Sequence, residues 1–574
     1  MGIQGLEHFC KKNPDIAEEI DIREEIEKWR VDHHGKNPTI IIDLKELLRV
    51  FFRIDEVGLI LGGRFEIYSE ILEYFCDEMK KNGAKLVFFD RLNEGKFNKV
   101  EEFQPIHPQY DCLIEHKPMI YNYHHQNLRP TERISYNLYS TCAKYGKIYT
   151  KYTSNAGVIL SYILENCEEV MALITRNTSF LVRMVELEFM FWSLSNIDYG
   201  KLKITKFCYR KLCEITGLEL HHNHLIWAIK HVDIGHTSKN KYLSFVEYAK
   251  KQQYGPNGYD TEQLTGNLTN ADRTKIAENL ATLEKYVDWK VEEGIVDDFI
   301  QNDETFKSVL RFCKDNIYFA YKLIIETYTI PKDLFYIDIR RSDAITFIDL
   351  IINLTMKQLG ILFKDIDPEM QPARRMVLLK RDFNVETVKY EKDIIYPSMP
   401  LPSLVNLIID EDNKSFNESR WCLLQNLLDL DEETISKINN AKKQLRIVLY
   451  TLKFLLVNEI ISTHDADILL VTELDGRSKG NVYVPKNAKR PPPPMPNQHY
   501  PRYVEFPWVR IAHKYTIAFE HVCHCLEICG LRKEADIIKF DALKFHKNMH
   551  LMKNGKDNEE IKRTMVRIEN IRLW

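Results

Sequence analysis

The chain has 574 residues, 44% hydrophobic and 28% charged, with Lys+Arg 79 against Asp+Glu 83 and a net charge of -4. These values exclude a disordered tail, a collagen, a small disulfide scaffold and a uniformly basic nucleic-acid binder, and the length suggests roughly two to four domains. The 12 Cys are scattered and no basic-then-apolar leader opens the sequence. They are read as reduced thiols of a cytosolic or nuclear protein. No run of about 18 apolar residues stands out, so no membrane partner is expected.

In chain order, the first 240 residues alternate short β-rich runs with helical segments. PTIIID (Pro38 to Asp43) reads as a strand, and LKELLRVFFRI after it has helical spacing. AKLVFFD (Ala84 to Asp90), KIYTKYT and VMALIT (Val170 to Thr175) read as three more strands. This alternation predicts an α/β domain over 1–240 with a mostly parallel sheet. Such sheets bind ligands at the carboxyl ends of their strands. Asp43, Asp90 and the Thr175–Ser179 segment fall on that edge. Residues 241–364 read as a helical region and 365–402 as a linker. Residues 403–574 read as a mainly helical C-terminal domain with a polyproline insert near 491–496. The run Pro491–Pro494 reads as a stiff extended connector.

The opening Met1-Gly2-Ile3-Gln4-Gly5-Leu6 resembles the N-terminus of the flap-endonuclease and XPG-type superfamily of PIN-like nucleases. IIIDLKELLRVFF, with Asp43, resembles its first acidic block. LVFFDRLNEGK, with Asp90, resembles the second, Arg91 standing for the usual glycine. The resemblance implies a PIN-like fold and, in active members, two divalent metals held by about seven carboxylates. In the third block Asn155 and Gly157 occupy the glutamate positions. In the fourth, Asn177 and Ser179 occupy the aspartate positions beside Arg176. The fifth keeps Asp233 but has His231 for glycine. Asp43, Asp90 and Asp233 alone do not offset two divalent cations, and Asn and Ser are poor ligands for a hard metal. The reading is a catalytically inactive nuclease fold with no catalytic residue, no metal site and no cofactor. Mg²⁺ enters only in the alternative, a divergent structure-specific nuclease with a reduced carboxylate site that Glu165 or Glu186 would complete. Asp43 and Asp90 have a second explanation as caps of the helices that follow their strands.

ITGLELHHNHLIWAIKHVDIG, HDADILLVTEL (His464 to Leu474) and FDALKFHKNMHLM (Phe540 to Met552) resemble blocks of the constitutive coactivator of PPAR-gamma-like family and its relative Asteroid. That resemblance implies a regulator or scaffold with RNA or protein partners, nuclear and/or cytoplasmic. It leaves the oligomeric state open. Lys201, Lys203, Lys206, Arg210 and Lys211 are interleaved with Tyr199, Phe207 and Tyr209. Cations there could neutralise phosphates and rings could stack on bases. The same pattern also describes the solvated face of a strand and helix. HVCHCLEIC and LHHNH lack the paired short spacings of a zinc site and read as structural.

Overall fold

The computed structural model describes residues 2–54, 58, 61–91, 132–151, 157–183, 189–234, 238–284 apart from 257 and 267, 304–325 and 328–329. It also describes 342–380 apart from 367 and 370, 387–478, 504–553, 566, 568–569 and 571–574.

Seven strands make one sheet: β1 (Ala17–Asp21), β2 (Thr39–Asp43), β3 (Lys85–Arg91), β4 (Gly146–Lys151), β5 (Val170–Thr175), β6 (Met190–Asp198) and β7 (Lys203–Phe207). Their order is β1-β7-β6-β5-β2-β3-β4. The stretch β6-β5-β2-β3-β4 is parallel throughout, and β7 and β1 add to it antiparallel. The observed fold is therefore the α/β fold with a mostly parallel sheet, followed by mainly helical regions, that the sequence indicates. β2 and β5 are buried at every position. Helices cover both faces of a parallel sheet, so its central strands must be apolar on both sides, and the runs TIIID and VMALIT supply this.

β1 and β7 carry no such signature. β1 sits at the edge with Glu18 and Glu19 exposed, and β7 spaces its two buried residues with Lys203, Thr205 and Lys206.

Ile41, Val87, Phe89, Leu173 and Phe191 face one core, shared with the helices Leu6–Lys12, Gly157–Glu165, Leu220–Ile229 and Lys241–Lys251. Ile40, Ile42, Leu86, Phe88 and Ile174 face the other core. This second core continues without a break into the helices Ser342–Leu362, Lys443–Val457, Phe506–Ile528 and Ala542–Lys553. The block FDALKFH makes the seam. The Phe65 N–H donates to the Phe540 carbonyl at 2.9 Å, and the Ala542 N–H to that of Gly63 at 2.8 Å. Asn137 bonds Ile538 in both directions, amide to carbonyl at 2.7 Å and N–H to side-chain oxygen at 2.9 Å.

The segment expected as a linker, 365–402, contains structure. β9 (Arg374–Lys380) pairs antiparallel with β10 (Thr387–Asp393) and parallel with the short β8 (Tyr328–Thr329). Pro491–Pro494 lie outside the described residues. One helix among the described residues bears on the expectation of no membrane partner. Ser342–Leu362 is long and apolar enough to cross a membrane by length and composition, but most of it is buried within the protein, as in the core helix of a folded domain. Polar and charged residues such as Asp349, Lys357 and Gln358 interrupt the sequence and hide the run.

Candidate functional site: the carboxyl edge of the sheet

Residues 2–6 dock at this edge. The Ile3 N–H donates to Thr178 Oγ1 at 2.9 Å. A Cβ on Gly2 would lie 2.6 Å from the Thr178 backbone nitrogen and would overlap its hydroxyl. Gly5 has φ 85 at the N-cap of the helix Leu6–Lys12, and a Cβ there would meet the Asn240 side-chain oxygen. Asn240 donates back to the Gly5 carbonyl at 3.3 Å and caps the helix Lys241–Lys251 through the Tyr242 N–H at 2.9 Å. Both glycines are thus required by close packing and by left-handed backbone. Residues 2–6 fasten the chain start to the loop after β5.

Next to it runs a buried hydrogen-bonded chain. Asp43 ends β2, is fully buried, and caps the helix Leu44–Ile54 by accepting the Glu46 N–H at 3.4 Å. Its other carboxylate oxygen accepts the Thr175 hydroxyl at 2.9 Å. Thr175 Oγ1 in turn accepts the Asn177 N–H at 3.1 Å, and the Asn177 side-chain oxygen accepts the Ser179 N–H at 3.2 Å. Lys230 donates to Ser179 Oγ at 3.3 Å and lies 4.3 Å from the centre of the Trp227 ring. Thr175, Asn177 and Ser179 are each no more than 5% exposed. Asn177 makes the turn bond that an aspartate would make there, without the charge.

The other expected positions do not converge on this chain. Asp43 is in register with Phe89, not with Asp90. Side chains alternate along a strand. Asp43 therefore shares the face of Ile41 and Phe89, while alternation sends Asp90 to the face of Phe88. Asp233 is exposed, four residues past the helix Leu220–Ile229. Gly157 is buried at the first position of its helix. Glu165 closes the same helix, exposed and about 12 Å along its axis from Gly157. Asn155 and Glu186 lie outside the described residues. Among the described residues, no three His, Cys, Asp or Glu side chains come together as a metal-binding group. Two Mg²⁺ ions need several oxygen anions in near-octahedral order. Asp43, with both oxygens already bonded within the protein and a lysine in the same chain of bonds, does not fit that requirement.

Two residues of this edge escaped the sequence reading. Glu46 is only 4% exposed, one turn after Asp43. Its signal was the Asp-x-x-Glu spacing of a helix start. Lys230 had no signal beyond standing next to His231. Arg176 turns aside: its Nε donates to Ser195 Oγ at 3.2 Å. Burial alone would raise the Glu7 carboxyl. Bonds from Lys11 and Ser195, with the charges of Lys11 and Arg176, hold it below its ordinary value.

The basic cluster on β7 is largely paired. Lys203 meets Glu19 at 2.9 Å, Lys206 meets Glu25 at 3.0 Å and Lys211 meets Glu214 at 2.7 Å. Lys201 and Arg210 are exposed. A cavity lined by Phe65, Leu72, Asn137 and Thr141 has a volume of ≈ 10 Å³, room for one water at most.

No protein-family model matches the chain. A stretch of 90 residues is 30% identical to the constitutive coactivator of peroxisome proliferator-activated receptor gamma from Bos taurus, covering 16% of this chain and 13% of the coactivator. The chain thus matches about an eighth of that relative's length. Two solved structures of the catalytic core of Rad2 in complex with DNA substrate are similar at 11% identity and a TM-score of 0.27. Both cover 55% of this chain, and 86% and 87% of their own.

Proposed function

We propose that the chain is a nuclease-like protein whose former metal edge serves structure, and that it acts as an RNA-binding or protein-binding regulator. The observation that carries this reading is the bond chain Asp43–Thr175–Asn177–Ser179–Lys230. It occupies the strand ends where the resemblance to XPG-type nucleases would place carboxylates and metal. A neutral amide, two hydroxyls and an ammonium bring no carboxylate charge to offset a hard dication, yet they satisfy the buried backbone there. The short similarity to a coactivator supports a regulatory role, and a nuclear site of action is part of the same proposal.

The test is one assay with two readouts. Purified protein is mixed with labelled single-stranded RNA or flap DNA in Mg²⁺ or Mn²⁺, and binding and cleavage are followed in the same samples. Binding of RNA without cleavage is the expected result. Cleavage that disappears in both Asp43→Ala and Asp90→Ala would overturn the proposal and establish a divergent nuclease. Absence of both binding and cleavage would leave protein partners alone.

A further inference from the structure

Away from the carboxyl edge, an exposed ring is held from two sides. Tyr254 and Tyr259 flank a turn closed by reciprocal hydrogen bonds between Gly255 and Gly258, both 3.0 Å. The Tyr254 ring stacks on His221, with centroids 4.3 Å apart and planes at 19°. Tyr259 meets it edge-on at 5.0 Å and 68°. Even so packed, Tyr254 remains 54% exposed. The Tyr259 hydroxyl is buried and has no hydrogen-bond partner among the described residues. A large ring with its rotamer already fixed binds a planar ligand at little entropic cost.

Cations end the helix that leads into this turn. Lys250 and Lys251 end the helix Lys241–Lys251, both exposed. The Lys250 ammonium passes over Gly217, 3.1 Å from where a Cβ would stand, and its charge acts on His222. Neither lysine makes an ion pair among the described residues, in contrast to Lys203, Lys206 and Lys211. Glu247 stands one turn before both lysines on the same helix and is exposed, while two further acids nearby are engaged. Glu219 lies 3.4 Å from His221 Nδ1, and Asp260 accepts the Glu262 N–H at 3.0 Å and the Gln263 amide at 2.7 Å.

We infer that this corner takes an unstacked base of single-stranded RNA. The base stacks on the open part of the Tyr254 ring, which His221 and Tyr259 brace, and the flanking phosphates lie against Lys250 and Lys251. Stacking tolerates any base, so the site selects single strands and not a sequence. A duplex hides its base faces and is excluded. The inference rests on the RNA-binding reading above.

The test uses the full chain and a labelled single-stranded oligouridylate of about 12 nucleotides, followed by fluorescence anisotropy across a salt series. Tyr254→Ala weakens binding by about tenfold or more with the salt slope unchanged, because stacking releases no counterion. Tyr254→Phe binds within about twofold of the parent, because the ring remains. Lys250→Ala lowers the salt slope by about one. Equal affinity of Tyr254→Ala and parent would overturn the site alone, as would equal loss in the Ala and Phe variants. A parent that binds no RNA would overturn this site together with the RNA reading of the function.

Discussion

Whether Asp43 holds structure or metal can be decided by stability. Asp43→Ala deletes the cap on the helix Leu44–Ile54, which costs about 1 kcal/mol. It also strips the fully buried Thr175 hydroxyl of its acceptor, which costs about 1–3 kcal/mol more. The sum is about 2–4 kcal/mol. Asp43→Asn keeps an oxygen for the Glu46 N–H and caps a helix as well as Asp does, but puts an NH2 group where Thr175 had its acceptor, so it spares only the cap and costs about 1 kcal/mol less than Asp43→Ala. Hydrogen exchange read over β2 and β5 is the assay, because a chain of this size need not unfold in one step. At about 1.4 kcal/mol per tenfold, those amides exchange roughly 30- to 1000-fold faster in Asp43→Ala, and about fivefold less fast than that in Asp43→Asn. A metal-site carboxylate behaves otherwise: removing one member of a mutually repelling set leaves stability equal or improved. Unchanged or slower exchange in Asp43→Ala would refute the structural assignment.

The remaining expectations concern buried groups elsewhere. Burial pushes the Glu527 carboxyl up to about 8, with Arg532 working against it. A folded value above the ordinary 4.5 means that its contribution is intact below about pH 4.5 and lost as pH rises towards 8. Glu527→Gln should therefore match the parent near pH 4.5 and exceed it at pH 8, the gap growing by about 1.4 kcal/mol per pH unit between, as read from hydrogen exchange over the helix Phe506–Ile528. His546 has the opposite sign. Burial pulls it down from 6.5 to about 4, although its Nε2 lies 2.9 Å from the Leu61 carbonyl. Its contribution is intact above about 6.5 and lost as pH falls towards 4, so His546→Gln should flatten the acid limb of the stability profile. Arg420 is fully buried, and its guanidinium donates to the carbonyls of Asn406, Leu407, Asp410, Glu411 and Asn413. Arg420→Met takes a donor from all five, of which Asp410 and Asn413 keep the N–H groups of Asn413 and Phe416, and should cost more than about 3 kcal/mol, seen as new protease cleavage within 404–413. Cleavage no faster than in the parent would contradict it.

What could be read in the sequence divides along a physical line. β2 and β5 are legible because burial on both faces forces an apolar run, whatever the neighbours are. β1 is an edge strand with two exposed glutamates, and such a strand is specified by its partner more than by itself. The seven-residue strands β9 and β10 were hidden in the same way, inside a segment whose Pro and Asp content suggested a linker. Gly2 and Gly5 stood out as a motif, yet the reason for each lies more than 170 residues away, at Thr178 and Asn240.

The candidate site shows the same limit more sharply. Sequence order made Asp43 and Asp90 look equivalent, each the acid that ends an apolar strand. Register separates them: Asp43 pairs with Phe89, and one residue of offset reverses the face. No local pattern encodes that offset. Lys230 enters the edge from a helix 51 residues beyond Ser179. Asn177 and Ser179 were legible in the sequence as neutral residues beside a strand end that needs hydrogen-bond partners. The identity of those partners was not, because a hydrogen bond requires only a donor within reach, and the fold alone determines reach. It follows that Asn177→Asp combined with Ser179→Asp would not create a metal site. The new carboxylate at position 177 would keep the turn bond to the backbone N–H of residue 179. The one at position 179 would gain the Lys230 ammonium as an ion-pair partner. Asp90 would remain on the opposite face of the sheet.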